Sequence, residues 1–174
     1  METLLHAYGR ATDTPAHLAA LVGADDAARQ AALRHLMSAI MHQGTAWSAT
    51  PAVVAEVVAL VGDPRAAGAV PGLLEFLGEV VEAVAPEHRA EFTAMAAPAG
   101  RDVDAEVAEL LEEDDEGDAV YEDVELADAL FARAMLALED LVPRVLAAVE
   151  PLTGHPDLAA PAAELADLCR RKLR

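Results

Sequence analysis

Apolar residues recur at helical spacing along almost the whole chain, and no stretch alternates between apolar and polar residues as a strand would. A clear example is the stripe of Leu33, Leu36, Met37 and Ile40, which falls at i, i+3, i+4 and i+7 on one helical face. The segment 53–61 is rich in β-branched valines, but its apolar positions keep the same period. The pattern therefore predicts an all-α protein.

Prolines divide these stripes into short helices, because a proline near a helix start has no N–H bond to lose. Five prolines lie near the start of an apolar run: Pro15, Pro51, Pro71, Pro143 and Pro161. Thr14 and Thr50 precede two of them and are candidate N-caps. Together the signals predict helices over 14–22, 24–43, 50–62, 69–85, 87–97, 102–114, 120–140, 142–150 and 157–172.

A glycine-centred junction repeats along the chain. Gly23, Gly62, Gly100 and Gly154 each lie between an apolar helix end and a residue suited to starting the next helix, such as Asp or Pro. The spacings are 39, 38 and 54 residues, and the long one contains an acidic insertion at about 102–125. A period near 40 residues with two helices per unit is typical of HEAT or armadillo arrays. We expect one domain over 1–174, an α-α superhelix of about eight or nine helices stacked as antiparallel pairs.

These junctions, with Gly-Asp-Pro followed by Arg and Ala-Ala, resemble the HEAT-repeat superfamily. The segment from Tyr8-Gly9 through His42-Gln43-Gly44-Thr45 to Ala49-Thr50-Pro51 looks like a small bacterial HEAT-like group with a His-Gln-Gly-Thr turn. The resemblance covers about the first 85 residues well and the rest loosely. It implies a protein-binding scaffold, since most members bind proteins and a few bind nucleic acid.

The formal charge of −19 and the pI near 4.4 limit the possible ligands. Nucleic acid and anionic membranes are disfavoured, because binding phosphate needs a basic surface. The single cysteine, Cys169, excludes a disulfide framework and a thiolate zinc site. The first residues lack the basic and apolar regions of a signal peptide, so a cytoplasmic protein is expected.

Most of the negative charge is local. Thirteen acids fall between Asp102 and Glu125, and neutralising them would change the formal charge from −19 to −6. The candidate contacts for a basic partner are at its centre: Glu112, Glu113, Asp114, Asp115, Glu116 and Asp118. The alternative is a solvated segment that keeps the protein soluble, since blocks of like charge repel one another.

The same segment can be aligned with a calcium-binding loop. With Gly117 at position six, Glu112 takes position one and Asp123 position twelve. A calcium loop normally has Asp first and a bidentate Glu last, so both ends are reversed here. The alignment therefore argues against a calcium site, and no metal or other cofactor is predicted.

A second candidate surface lies on the helix before the His-Gln-Gly-Thr turn. His35, Ser38 and His42 share a face opposite the apolar stripe and could line a concave groove, followed by Gln43 and Trp47. An exposed tryptophan would be a natural binding anchor. The alternative is structural: Gly44 ends the helix, His42 suits its negative end, and Trp47 packs inside.

The sequence contains no nucleophile elbow, glycine-rich phosphate loop or His-Glu-x-x-His motif. The leading hypothesis is therefore a protein-interaction module, for example an inhibitor or immunity-type protein that masks a basic partner. Two rivals remain open. One is a DNA-acting enzyme resembling the HEAT-like alkylpurine glycosylases, and the other is a regulator that binds a cation or a small ligand.

Overall fold

The computed structural model describes residues 3–113 and 117–174, and it is an all-α protein with two very short hairpins. The hairpin strands are β1 Leu5–His6, β2 Gly9–Arg10, β3 Met41–His42 and β4 Thr45–Ala46. The α-helices are α1 Thr14–Ala20, α2 Asp26–His35, α3 Thr50–Val61, α4 Val70–Ala83, α5 Arg89–Met95, α6 Val103–Glu113, α7 Asp118–Glu122, α8 Val124–Val149 and α9 Ala159–Lys172. Single 3-10 turns lie at Pro64–Ala66, Pro86–His88 and Glu150–Gly154.

The helix starts follow the predicted chemistry only in part. At α2, the Asp25 carboxylate caps the helix by accepting the N–H groups of Ala27 and Ala28 at 2.8 and 3.2 Å. Thr14 and Thr50 do not act as N-caps: each is buried as the first residue of its helix. The Thr50 hydroxyl instead donates to the carbonyl of Ile40 at 2.7 Å, which fixes α3 against the preceding turn.

The predicted helix over 24–43 is wrong at its end. The helix passes through a π-helical turn at Leu36–Ile40, and residues 41–46 then form an antiparallel hairpin. Its two-residue loop, Gln43 and Gly44, has φ values of 52° and 76°. Two successive positive φ angles are typical of a type I′ turn, whose twist matches that of paired strands. Gly44 is therefore a hairpin residue and not a helix cap.

The predicted break near Pro143 is also wrong, because α8 continues through it to Val149. Pro143 lies on the exposed side of the helix. Its buried neighbours Leu138, Val142, Val145 and Val149 keep one apolar stripe in phase across the proline. Pro143 has no N–H, so the carbonyl of residue 139 lacks its helical donor. The free energy gained by burying the apolar stripe outweighs the cost of that missing hydrogen bond.

The long helix α8 organises the packing. It contacts α3, α4, α5 and α9, and the main hydrophobic core lies among these helices. A second, smaller core joins α6, α7 and the start of α8 with Leu5. In a superhelix each helix pair contacts only its neighbours in sequence. Here α8 packs against α3 from a distant part of the chain, and the stacked-pair arrangement stays a prediction. None of the described helices is long and apolar enough to cross a membrane.

Replacing Pro143 with alanine should raise the free energy of unfolding by about 1–3 kcal/mol, because it restores a helical N–H donor in an exposed position. Urea denaturation measures the change. Pro161→Ala is the matched control, since Pro161 lies in the first turn of α9, where no intrahelical N–H bond exists to restore. An equal gain from both substitutions would contradict this account of α8.

Candidate functional site

Three histidines surround one carboxylate at the junction of the first hairpin with α1 and α2. His6 lies on β1, Asp13 directly precedes α1, His17 lies on α1 and His35 ends α2. His6 and His35 are buried, whereas the side chain of Asp13 is 54% exposed. Ligand atoms of His6, Asp13 and His35 lie within 4.8 Å of one another. Among the described residues, this group is therefore the one that could hold a metal ion.

Hydrogen bonds fix the tautomer of His6. The backbone N–H of Tyr8 donates to His6 Nδ1 at 3.2 Å, so Nδ1 is the acceptor and Nε2 carries the ring proton. That proton faces Asp13 Oδ1 at 3.0 Å. Burial alone would raise the pKa of Asp13, but the bond from His6 and the electrostatic effect of His35 outweigh it and hold this pKa below its ordinary value.

His35 has a different environment. Its Nε2 lies 3.0 Å from the buried hydroxyl of Thr14, and its Nδ1 lies 3.8 Å from Asp13 Oδ2, which is too far for a hydrogen bond. Burial, and next the neighbouring His17, lower the pKa of His35 to about 4, so the imidazole is neutral at pH 7. The order Thr14, His35, Asp13 resembles a nucleophile-base-acid triad. However, Thr14 is fully buried, so no substrate can reach its hydroxyl.

The predicted groove residues do not share one surface. His35 turns inward to the histidine cluster, whereas Gln43 is exposed in the hairpin turn. The His42 Nδ1–H donates to the carbonyl of Ser38 at 2.8 Å, with the hydroxyl of Tyr8 3.4 Å away. Ser38 itself is exposed and lines a cleft beside α4.

Trp47 packs against the acidic helices. Its ring meets the ring of Tyr121 of α7 edge to face, with centroids 5.0 Å apart. Its indole N–H is buried and has no hydrogen-bond partner among the described residues. Burial of Tyr121 raises the pKa of its phenol. This contact joins the second hairpin to the acidic segment.

Over its described residues, the acidic segment is mostly helical, and arginines pair with several of its carboxylates. Arg101 bridges Glu106, Asp123 and Glu125, and Arg133 pairs with Asp104 at 2.8 Å. Glu112, Glu113 and Asp118 are exposed, whereas Asp114, Asp115 and Glu116 lie outside the described residues.

Several described residues of the window aligned with a calcium loop have structural contacts of their own. α7 occupies part of the twelve-residue window, and the carboxylate of Asp123 already accepts the N–H of Leu126 as well as two bonds from Arg101. Gly117 has a φ of 82°, and a Cβ there would lie 2.7 Å from Leu5 Cδ2. The glycine therefore serves a close contact in the second core.

A cleft that the sequence did not predict runs along α4. One part, of about 830 Å³, lies between α2 and α4, and an adjoining part of about 420 Å³ lies between α4 and α9. Gly72 allows the two helices to approach, since a Cβ there would lie 2.8 Å from Leu33 Cδ1. Three exposed glutamates of α4 line the cleft: Glu75, Glu79 and Glu82.

Comparisons with protein-family models, with curated proteins and with solved structures gave no match for this chain. The resemblance to HEAT repeats therefore rests on sequence pattern, and it remains a prediction.

Trp47→Ala should lower the free energy of unfolding by about 2–4 kcal/mol, because it removes a half-buried ring and leaves a cavity beside Tyr121. Trp47→Phe is the control: it keeps an aromatic contact and deletes the unpaired N–H, so the expected change is below about 1 kcal/mol. Chemical denaturation compares both with the wild type. A negligible effect of Trp47→Ala would show that the ring contributes little to packing.

Because of the contact between Asp123 and Arg101, the stability of the protein should fall as the pH becomes acidic. Hydrogen bonds from Arg101 hold the pKa of Asp123 at about 2, below its ordinary value of 3.8. Its stabilising contribution is therefore complete above the ordinary value and is lost as the pH falls through about 2. Asp123→Asn should lower the melting temperature at pH 7, and the difference from wild type should narrow at low pH. Glu109→Gln, an exposed acid of α6, should show no such difference at either pH.

Proposed function

We propose that the chain is a protein-interaction module, and that the cleft along α4 binds a basic segment of a partner protein. The observation that carries the proposal is the row of glutamates that lines the cleft. Glu75, Glu79 and Glu82 fall at i, i+4 and i+7 and so share one helical face. None of the three carboxylates pairs with a cation among the described residues, so their charge is available to a partner.

The shape of the cleft suits an elongated partner. Its two parts meet at Pro71 and Glu75, and together they extend from Gly68, just before α4, along that helix to Glu82. Apolar side chains also line the cleft: Leu33 of α2 and Met37 of the following π-helical turn on one side of α4, and Leu165 and Leu168 of α9 on the other. Such a groove matches an amphipathic helix with cationic residues at i, i+4 and i+7.

Charge favours a basic partner over a nucleic acid. The cleft is lined by Glu164 as well as the three α4 glutamates, and by two arginines, Arg34 and Arg171, so its net charge is negative. The formal charge of −19 would also steer a basic protein toward the molecule and repel phosphate. The acidic segment at 102–125 would then increase the association rate, while the cleft determines which segment is bound.

The probe is a fluorescein-labelled synthetic helix with lysines at i, i+4 and i+7 and leucines on the flanking positions. Fluorescence anisotropy at 0.15 M salt should show binding that the triple variant E75Q/E79Q/E82Q weakens about tenfold, as expected when three partly exposed ion pairs are lost. At this ionic strength, charges more than about 8 Å away are largely screened.

The matched control is E112Q/E113Q/D118N, which neutralises three exposed acids of the acidic segment and changes the net charge equally. Its affinity for the probe should stay within about twofold of wild type, because its charges lie outside the cleft. Equal weakening by both variants would mean nonspecific attraction, and weakening by the control alone would move the docking surface to the acidic segment. Failure of the wild type to prefer the probe over a scrambled peptide of the same composition would overturn the proposal.

A further inference from the structure

The histidine cluster has the composition and arrangement of a metal site, independently of the cleft. His6, Asp13 and His35 supply two imidazoles and one carboxylate, with ligand atoms within 4.8 Å of one another. The rings of His6 and His35 are nearly perpendicular, at 75°, with centroids 5.3 Å apart. Nitrogen lone pairs in two such rings can converge on a single ion, because each lone pair lies in the plane of its ring.

We infer that His6, Asp13 and His35 bind a divalent transition metal of the zinc class. Imidazole and carboxylate are the ligands that Zn²⁺ and neighbouring metals accept, at about 2.0–2.2 Å. Ligand atoms around such an ion lie about 3.0–3.5 Å apart by that geometry, so the cluster must contract slightly on binding. The two histidines form a buried wall, and the half-exposed Asp13 is the entrance from solvent.

The surroundings of Asp13 and His35 support this assignment. The Nε2 of His35 meets the hydroxyl of Thr14 at 3.0 Å, which leaves Nδ1 facing Asp13 Oδ2. Metal-bound histidines usually donate their other N–H to an oxygen, and Thr14 offers one. Asp13 Oδ2 and His35 Nδ1 are 3.8 Å apart, which is too far for a hydrogen bond. An ion between these two atoms could bind both, because each bond to the metal is about 2.0–2.2 Å long.

His6 must change its tautomer when a metal binds. Its Nε2 now carries the proton and faces Asp13, while Nδ1 accepts the N–H of Tyr8. Coordination through Nε2 requires the proton at Nδ1, so the ring proton moves from one nitrogen to the other by way of solvent. The Tyr8 N–H then loses its acceptor. Tyr8 is 64% exposed at the tip of the hairpin, where water can replace that bond.

His17 is not part of the ligand set in this arrangement. Its ring stacks on that of His35 with centroids 4.1 Å apart and an angle of 16° between the planes. Two stacked, nearly parallel rings cannot both aim a lone pair at one ion. His17 instead closes the side of the cluster, with its Nε2 3.9 Å from Asp13 Oδ2.

The test is titration of the chelator-treated full chain with Zn²⁺ by calorimetry, and with Co²⁺ by visible absorption, which reports nitrogen and oxygen ligands directly. Wild type should bind one equivalent with a dissociation constant of about 1 µM or below. His6→Gln and Asp13→Asn should each weaken binding at least tenfold. His88→Gln, which removes an exposed histidine paired with Glu91, is the matched control and should bind as wild type does.

A second readout separates metal binding from folding. Thermal melting followed by circular dichroism, without metal, identifies any variant that fails to fold. Hydrogen exchange at the Tyr8 amide reports whether its hydrogen bond to His6 is present. Zn²⁺ should accelerate exchange at the Tyr8 N–H in the wild type, because the metal displaces its acceptor. Equal Zn²⁺ affinity in wild type and Asp13→Asn, or binding with an unchanged Tyr8 amide, would overturn the assignment.

Discussion

The backbone of Leu5 joins the parts of the molecule that carry both candidate sites. Its N–H donates to the hydroxyl of Ser48 at 2.8 Å, and its carbonyl accepts the N–H of Ala49 at 3.0 Å. These bonds tie the first hairpin to the start of α3. The Leu5 side chain is fully buried in the second core, in contact with the position of Gly117. One residue thus connects the hairpins, the main helical body and the acidic segment.

The alternating direction of side chains along β1 then determines where His6, the residue after Leu5, points. Successive residues of a strand point to opposite faces, so Leu5 enters the second core while His6 faces α1 and α2. A strand of two residues is enough for this separation, provided that tertiary hydrogen bonds hold it. The N–H of Ala7, which donates to the carbonyl of Ala39 at 3.0 Å, supplies one more. The histidine cluster therefore depends on hairpins that would be unstable alone.

The sequence predicted secondary structure well where a pattern extends over many consecutive residues. Helical spacing correctly predicted most helices, because burying one apolar stripe sets both period and length. It failed at Pro143, where tertiary burial outweighs a strong local signal. It also failed at the hairpins, because two residues cannot show an alternation.

A repeat did mark the hairpins. Leu5-His6 precedes Thr14-Pro15 by the same spacing that separates Met41-His42 from Thr50-Pro51, and each unit folds as a hairpin followed by a helix. That similarity makes His6 and His42 equivalent positions of the two units. It could not have placed His6 beside His35, because that contact depends on how α2 packs against the first hairpin.

The acidic charge illustrates why counting residues cannot locate a binding surface. Thirteen acids fall between Asp102 and Glu125, yet Arg101 and Arg133 pair with several of them. The three glutamates on α4 attract less notice in the sequence, but their carboxylates face a cleft and lack cationic partners among the described residues. Availability for binding depends on which charges the fold has already neutralised. The neutralised charges are identified only once the helices are packed, because Arg101 and Arg133 reach acids 22 to 29 residues away along the chain.

The two candidate sites also share one structural element. His35 ends α2 and belongs to the histidine cluster, while Ser38, one turn later, lines the cleft. A line of contacts joins them from the other side: the Tyr8 N–H to His6, the Tyr8 hydroxyl beside His42, and the His42 ring to the Ser38 carbonyl. A ligand at one site can influence the other only if it favours a different arrangement of these groups. Tyr8 is the residue at which the two sites meet, because its backbone bonds the cluster and its side chain contacts the residue that holds the edge of the cleft.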